Sequence, residues 1–149
     1  EMYTFMPNTN NFYMAGNMGG ALSIGLGAYM AGKNVIVCGG DAEFVMHLGG
    51  LTTAGRYKNK LNKGKLNYII FDNESNKSTG GQSSYQSHIN YNQIAKNSNF
   101  NYEDTITSLD SFNLVLSKKM KDFHFLQVKC SYDKSVPRPP LHKVMKNKF

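Results

Sequence analysis

Apolar residues recur along this chain in two distinct patterns, and the two patterns alternate. In four segments they return every three or four positions, which is the spacing of one face of an α-helix; these predicted helices are Met18–Met30, Phe44–Tyr57, Tyr91–Ala95 and Ser111–Met120. In other segments they form short, mostly apolar runs, which are typical of buried β-strands; these predicted strands are Val35–Cys38, Leu66–Phe71, Phe100–Tyr102 and His124–Val128. Residues 1–15 and Asp72–Ser87 carry neither pattern and are predicted to be irregular, and the chain from Val136 onward is expected to be extended.

The alternation of helices and strands predicts the fold class. Strands that are apolar at every position are buried on both faces, which is typical of a parallel sheet covered by helices on either side. We therefore expect a single α/β domain spanning residues 1–149, with three layers (α/β/α) and a mostly parallel sheet. Ligands bind such sheets at the carboxyl ends of the strands, so the residues that follow the strands are the first candidates for function.

Composition narrows the classes of function. The chain has 149 residues, of which 40% are hydrophobic and 12% aromatic, and this fits a folded domain with a core. The net charge is +7, but the lysines are scattered and do not interleave with aromatic residues, so nucleic acid is not an expected partner. The chain contains no apolar run of about 18 residues, so no membrane association is expected.

The start of the chain and its two cysteines bear on its setting. The sequence begins at Glu1 without a secretory leader, which suggests a fragment, a trimmed chain or a subunit. Cys38 and Cys130 each close a predicted buried strand, so we expect both to be free and buried. Free cysteines in turn predict a cytoplasmic location.

Two polar motifs stand where predicted strands end. Gly39-Gly40-Asp41-Ala42-Glu43 follows the first strand, and Asp72-Asn73 follows the second. If these strands are neighbours, the Asp41 carboxylate lies near the Asn73 amide oxygen, and both are hard oxygen ligands of the kind that Mg²⁺ takes together with phosphate oxygens. The amides that open the next helix would suit a phosphate. A purely structural interpretation is also open, in which Asp41 caps the helix and Asn73 forms an Asx turn.

Three segments carry a resemblance to a known family. They are FYMAGNMGGALSIGLGAYMAG, GGDAEFVMHLGGLTTAG and IIFDNESNKSTGGQ, and they include a Gly-Asp followed by Asp-Asn at the separation of the thiamine diphosphate motif. From about Asn10 to His88 the chain resembles the phosphonopyruvate decarboxylases and the related β subunits of sulfopyruvate decarboxylase. The resemblance implies a thiamine diphosphate-binding fold, with thiamine diphosphate and Mg²⁺ as cofactors.

The resemblance also implies roles for individual residues. It makes Asp41, Asn73 and the backbone carbonyl of Ser75 the metal ligands. It places the Gly16 carbonyl against the amino group of the cofactor's pyrimidine and makes Met18 the wedge that bends the cofactor. The implied cofactor site as a whole comprises Gly16, Asn17, Met18, Gly40, Asp41, Ala42, Glu43, Asn73 and Ser75. The segment that follows is either a substrate loop or a plain glycine turn, and comprises Ser78, Thr79, Gly80, Gly81 and Gln82.

The implied reaction is decarboxylation of a small 2-oxo acid, in the first place phosphonopyruvate, which gives phosphonoacetaldehyde and CO₂ in phosphonate biosynthesis. In this family the glutamate that activates the cofactor lies on a pyrimidine-binding domain. No such domain is recognisable in residues 1–149, so we expect that catalytic residue on another chain or on a segment before Glu1. A site divided in this way implies a homo- or hetero-oligomer.

Two residues depart from the family pattern. Ala42 stands where glycine is usual, which matters if the backbone there needs an angle that glycine alone adopts. Glu43 stands where a small residue is usual, and a carboxylate about 5 Å from a diphosphate would cost on the order of 3 kcal/mol. These two residues favour one alternative to the first interpretation, a non-catalytic binding protein of the same fold. Two others are a sulfopyruvate decarboxylase β subunit, which would explain the short chain, and a 2-oxoacid:ferredoxin oxidoreductase β subunit, which shares a similar Thr-Gly-Gly-Gln loop.

Overall fold

Helices and strands alternate along residues 2–58, 60, 64–102, 105–118 and 122–131, which are the residues that the computed structural model describes. The helices are α1 (Met2–Phe5), α2 (Ala21–Met30), α3 (Asp41–Met46), α4 (Leu48–Gly55), α5 (Tyr91–Asn97) and α6 (Leu109–Ser117). The strands are β1 (Asn34–Gly40), β2 (Lys65–Asp72), β3 (Ser75–Asn76), β4 (Gln82–Ser83), β5 (Asn101–Tyr102) and β6 (His124–Lys129).

Four of the strands form one parallel sheet in the order β1-β2-β6-β5. Strand β1 lies beside β2 with Asn34 opposite Lys65 and Gly40 opposite Phe71, so both strands end at the same edge of the sheet. Strands β3 and β4 form a separate antiparallel pair just beyond the end of β2. The predicted α/β class with a mostly parallel sheet is confirmed.

The core lies mainly on one face of the sheet, where α2, α3, α4 and α5 pack. The Phe44 ring of α3 packs between two strand aromatics, with its centroid 6.0 Å from that of Tyr68 and 5.5 Å from that of Phe125. The opposite face carries a smaller cluster in which Val115 of α6 packs with Ile69 and other strand residues. Burial on both faces explains why residues 66–71 of β2 are apolar except at Asn67.

The prediction that the two cysteines are buried is wrong, although both are free thiols. Strand β1 is at the edge of the sheet, and Cys38 lies on the face opposite α2, where Ile36 is also 56% exposed. Cys130 follows the last residue of β6 and is exposed as well. An apolar run in the sequence does not reveal whether a strand is central or at an edge, and this is the physical reason for the error.

Several predicted boundaries also differ from the observed ones. The first predicted helix begins at Ala21 instead of Met18, because the preceding turn contains backbone angles with positive φ. The second begins at Asp41 and is divided at His47 into α3 and α4. The predicted loop after β2 contains the β3–β4 pair, and residues 1–15 contain the short helix α1. The extended segment predicted from Val136 lies outside the described residues, and no described helix is long and apolar enough to cross a membrane.

Candidate functional site

The carboxyl ends of β1 and β2 meet at one edge of the sheet, as the positions of the two polar motifs predict. Gly40 closes β1 opposite Phe71, so Asp41 at the start of α3 is adjacent to the segment Asp72–Asn73 at the end of β2. Glycine at position 40 leaves the backbone close to this edge, since an added Cβ would lie 4.0 Å from the Phe71 carbonyl oxygen. The structure thus brings both halves of the predicted oxygen-ligand set together.

Asp41 is buried with one carboxylate oxygen unsatisfied. The residue is 1% exposed, and its Oδ2 atom has no hydrogen-bond partner in the described part of the chain. It does not act as the helix cap, because the N-cap position is Gly40 and α3 receives no side-chain capping bond there. A buried and unpaired carboxylate oxygen is costly for a folded protein. A bound cation would remove that cost.

The turn that follows β2 presents two more oxygen atoms. The Asn73 Oδ1 atom accepts a hydrogen bond from the Ser75 N–H at 3.0 Å, and Glu74 between them has a φ of 55°. This is the Asx turn of the structural interpretation, and it leaves the second lone pair of Oδ1 free to bind a cation. Ser84 N–H bonds the Glu74 carbonyl, so Ser75 and Ser83 form a non-hydrogen-bonded pair, and the Ser75 carbonyl points away from β4.

A tight turn before α2 holds the predicted pyrimidine-contact residues. Gly16, Asn17 and Gly19 all have positive φ, at 72°, 47° and 94°, and the Gly20 N–H closes the turn on the Asn17 carbonyl at 2.9 Å. The Met18 side chain at its tip is 39% exposed. These angles exclude a helix from residue 18 onward and leave Met18 projecting from the domain.

The two departures from the family pattern are accommodated. Ala42 lies in α3 and is absent from the residues with positive φ, so its methyl group imposes no backbone strain. The Glu43 carboxylate faces the backbone N–H groups of Gly40, Ala21 and Gly19, which favour its charged form, and its Oε2 atom lies beside Gly39. Burial raises the pKa of the Glu43 carboxyl above its ordinary value, and these three donors oppose that shift. Glu43 is thus turned toward the start of α2.

Comparison with known proteins identifies the family. Residues 1–124 match the family described as "Thiamine pyrophosphate enzyme, C-terminal TPP binding domain". The chain belongs to this family. It is 34% identical over 118 residues to a phosphonopyruvate decarboxylase of Streptomyces viridochromogenes, covering 78% of this chain and 29% of that protein. It is 42% identical over 116 residues to the sulfopyruvate decarboxylase subunit beta of Methanocaldococcus jannaschii, covering 75% of this chain and 58% of that protein.

A third relative is the sulfopyruvate decarboxylase subunit beta of Methanothermobacter thermautotrophicus, with 37% identity over 102 residues. The match covers 68% of this chain and 53% of that protein. The match therefore covers between 29% and 58% of the length of these relatives. In a TPP binding domain, the unsatisfied Asp41 oxygen and the Asn73 and Ser75 oxygens are the chemistry that a diphosphate-bound Mg²⁺ requires. In the described residues, no group of three histidines, cysteines or acids offers a competing metal site.

The segment that sequence analysis assigned as a substrate loop or glycine turn caps the β3–β4 hairpin of this TPP binding domain. Ser78 Oγ donates to the Met18 sulfur at 3.5 Å, and Thr79 Oγ1 donates to Gln82 Oε1 at 3.0 Å. Gly80 and Gly81 turn the chain with φ values of 139° and 80°. A cavity of about 330 Å³ separates the hairpin from α3. The structure thus places this loop beside Met18, and its role toward a substrate stays a prediction.

Sequence analysis missed a charged network beneath the turn. Asp72 is 2% exposed, and its Oδ2 atom accepts from Gln127 Nε2 at 2.7 Å and pairs with Lys129 Nζ at 3.0 Å. Lys129 also reaches Glu74 Oε1 at 2.7 Å. These residues border a second cavity of about 500 Å³ that also includes His88. Gln127 was the available signal, since a polar residue within the apolar run of β6 indicates a specific partner.

Proposed function

We propose that this chain is the diphosphate-binding half of a thiamine diphosphate-dependent 2-oxo acid decarboxylase. The observation that carries the proposal is the buried Asp41 carboxylate, whose Oδ2 atom has no partner within the described residues, at the junction of β1 and β2 in a TPP binding domain. A metal ion bound to this oxygen in the cofactor-bound protein would compensate its buried charge.

In this proposal Mg²⁺ is held by the Asp41 carboxylate, the Asn73 side-chain oxygen and the Ser75 carbonyl. All three are oxygen donors, and they leave coordination positions for diphosphate oxygens and water, which Mg²⁺ retains in most of its sites. The metal neutralises the diphosphate, so the cofactor can lie at this edge of the sheet together with the carboxylate. Gly40 and Ala42 provide close approach for the backbone.

The cofactor, when bound, supplies a carbon nucleophile and accepts the electron pair that is released when CO₂ leaves. The part played by this chain is to orient it. The Gly16 carbonyl would accept a hydrogen bond from the amino group of the pyrimidine, and Asn17 shapes the turn around that carbonyl. Met18 would be the apolar wedge that bends the cofactor. Its 39% exposure in the isolated chain is in keeping with a side chain that a bound molecule covers.

The proposed substrate is a 2-oxo acid with a tetrahedral anionic group, in the first place phosphonopyruvate, which yields phosphonoacetaldehyde and CO₂. The Gly80 N–H is a candidate donor to that group, whereas the Gly81 N–H already bonds the Asn76 carbonyl at 3.0 Å. The Ser78 and Thr79 hydroxyls would have to turn from Asn76 and Gln82 to reach it. Sulfopyruvate is the second candidate, because the two sulfopyruvate decarboxylase subunits of 37% and 42% identity are β subunits, each matched over more than half its length.

The proposal requires a pyrimidine-binding domain that supplies the activating glutamate, either on a partner subunit or elsewhere in a longer protein. The name of the sulfopyruvate decarboxylase subunit beta indicates that those relatives work as one of several subunits. An oligomer with the site between domains follows from this arrangement. A cytoplasmic location also belongs to the proposal.

Calorimetric titration with thiamine diphosphate in Mg²⁺ tests the proposal, applied to the chain assembled with its pyrimidine-binding partner and to an Asp41→Ala variant of the same assembly. We expect binding that the variant abolishes, followed by CO₂ release from phosphonopyruvate. Release from sulfopyruvate alone would select the second candidate, and electron transfer to ferredoxin from another 2-oxo acid would select the oxidoreductase alternative. Binding without turnover of any 2-oxo acid would identify a non-catalytic binding protein, and no binding would refute the proposal.

A further inference from the structure

Glu43 and His47 both adjoin the turn that carries Met18. Glu43 lies in α3, and His47 is the residue at which α3 ends. The Glu43 carboxylate faces the N–H groups of Gly19 and Ala21, which favour its charged form. His47 Nδ1 lies 2.9 Å from the Gly19 carbonyl oxygen and must donate to it, because a carbonyl only accepts.

The backbone at Gly19 is shaped for this contact. Its φ of 94° favours glycine, and an added Cβ would lie 3.0 Å from the His47 Cβ and 3.4 Å from the Met46 Cβ. The turn therefore packs directly on the helix. Gly39 shows the same closeness, since a Cβ there would lie 2.7 Å from Glu43 Oε2.

We infer that Glu43 and His47 are positioning residues that fix Met18 relative to Asp41. The inference rests on the proposed function. Asp41 lies two residues before Glu43 on the same helix, and Met18 adjoins Gly19, so the clamp formed by Glu43 and His47 sets the spacing between the metal-binding end and the pyrimidine-binding end of the site. A cofactor held at both ends reacts only if that spacing is correct.

The clamp explains why a carboxylate stands at position 43. A carboxylate has two acceptor oxygens with four lone-pair sites, enough for the three N–H groups that converge on it. Glutamine has a single acceptor oxygen, and its amide group would face another donor. The surroundings of position 43 thus favour a carboxylate.

The test compares Glu43→Gln and His47→Ala with the wild-type assembly, and uses Asp110→Asn on the exposed first turn of α6 as the matched charge-removing control. Three quantities are measured: hydrogen–deuterium exchange of residues 16–21 without cofactor, the dissociation constant for thiamine diphosphate in Mg²⁺, and kcat. In Glu43→Gln we expect exchange of residues 16–21 to accelerate by about tenfold, since hydrogen bonds to a charged acceptor are lost. We expect kcat to fall roughly 10- to 100-fold while cofactor affinity stays within about threefold or improves, because a negative charge near the diphosphate has been removed.

Three results would overturn the inference. In the first, both variants show the same exchange rate of residues 16–21 and the same kcat as Asp110→Asn. Another is a parallel loss of affinity, kcat and melting temperature without faster exchange in residues 16–21, which marks a general loss of stability. The last is a higher kcat in Glu43→Gln, which would mean that Glu43 hinders the site. Failure of the wild-type assembly to bind thiamine diphosphate would instead refute the proposed function, and the exchange measurement would still decide whether the clamp exists.

Discussion

Replacing Asp41 with asparagine should stabilise the cofactor-free protein and abolish binding of the cofactor. The carboxylate is 1% exposed and its Oδ2 atom has no partner among the described residues. An unsatisfied buried polar group costs about 1–3 kcal/mol, and a charged one more. Removing the charge also forfeits about 0.3–1 kcal/mol of interaction with the helix N-terminus. We therefore expect a net gain of about 1–2 kcal/mol in the free energy of unfolding.

Thermal unfolding followed by circular dichroism measures this gain. For a domain of this size, 1 kcal/mol shifts the melting temperature by roughly 2–4 °C, so cofactor-free Asp41→Asn should melt about 2–8 °C above the wild type. Thiamine diphosphate with Mg²⁺ at about 100 times its dissociation constant should stabilise the wild type by about 2.7 kcal/mol and the variant by nothing. The order of the two melting temperatures should therefore reverse when cofactor is added.

The change in the unfolding free energy of the cofactor-free protein tests this reasoning by its sign. If Asp41 serves the fold, as the capping interpretation holds, Asp41→Asn should leave stability unchanged and Asp41→Ala should lower it by about 1 kcal/mol. Either result, or an equal response of wild type and variant to the cofactor, would show that the buried carboxylate is not a metal ligand.

Two further substitutions test other parts of the site. Gly19→Ala should lower the free energy of unfolding by about 1–2 kcal/mol, because its φ is 94° and the new Cβ would crowd His47. The control is Gly27→Ala, at an exposed position of α2 with open space around the added Cβ, which should be neutral or slightly stabilising in the same melting assay. Lys129→Met should lower the free energy of unfolding by about 1–2 kcal/mol, because it leaves the buried Asp72 carboxylate without its cation. The loss is smaller than for a fully buried ion pair, since Lys129 is 39% exposed. The hydrogen bond to Glu74, and after it the pairing with Asp72, raises the pKa of Lys129. The stabilisation is therefore present at neutral pH and is lost as the pH rises through that pKa. If the wild type stayed more stable than Lys129→Met in strong alkali, the assignment would be wrong.

The fold was predictable where the local pattern and the tertiary environment agree. Strand β2 is central and buried on both faces, so its apolar run identified it correctly. Strand β1 has a similar run, yet it is an edge strand, and no local pattern distinguishes the two positions. The break at His47 was also missed, because the bond of its ring to the Gly19 carbonyl is a contact across 28 residues.

The candidate site also contains residues that the sequence predicts and residues that only the structure reveals. Asp41 and Asn73 could be found because each directly follows a predicted strand, and strand pairing then brings them together. The Asp72–Lys129 pair joins residues that are far apart in the chain and have no shared motif, so only the structure reveals it. Glu43 was recognised as unusual, but its sequence position suggested a carboxylate directed at the diphosphate. The backbone N–H groups that it faces in the structure belong to the end of β1 and the start of α2, and they leave no trace in the pattern of residue types.

The strand order β1-β2-β6-β5 also sets an order of events during synthesis. Strand β2 can pair with β1 as soon as both leave the ribosome, but its other edge awaits β6, where Asn67 pairs with His124, 57 residues later. Until then the nascent chain carries an open and strongly apolar strand edge, which is the kind of surface that pairs with other chains. Strand β5 pairs with β6 and so also waits for it. Translation that stops before His124 should therefore yield an aggregating product, because β6 is the strand that covers the open edge of β2.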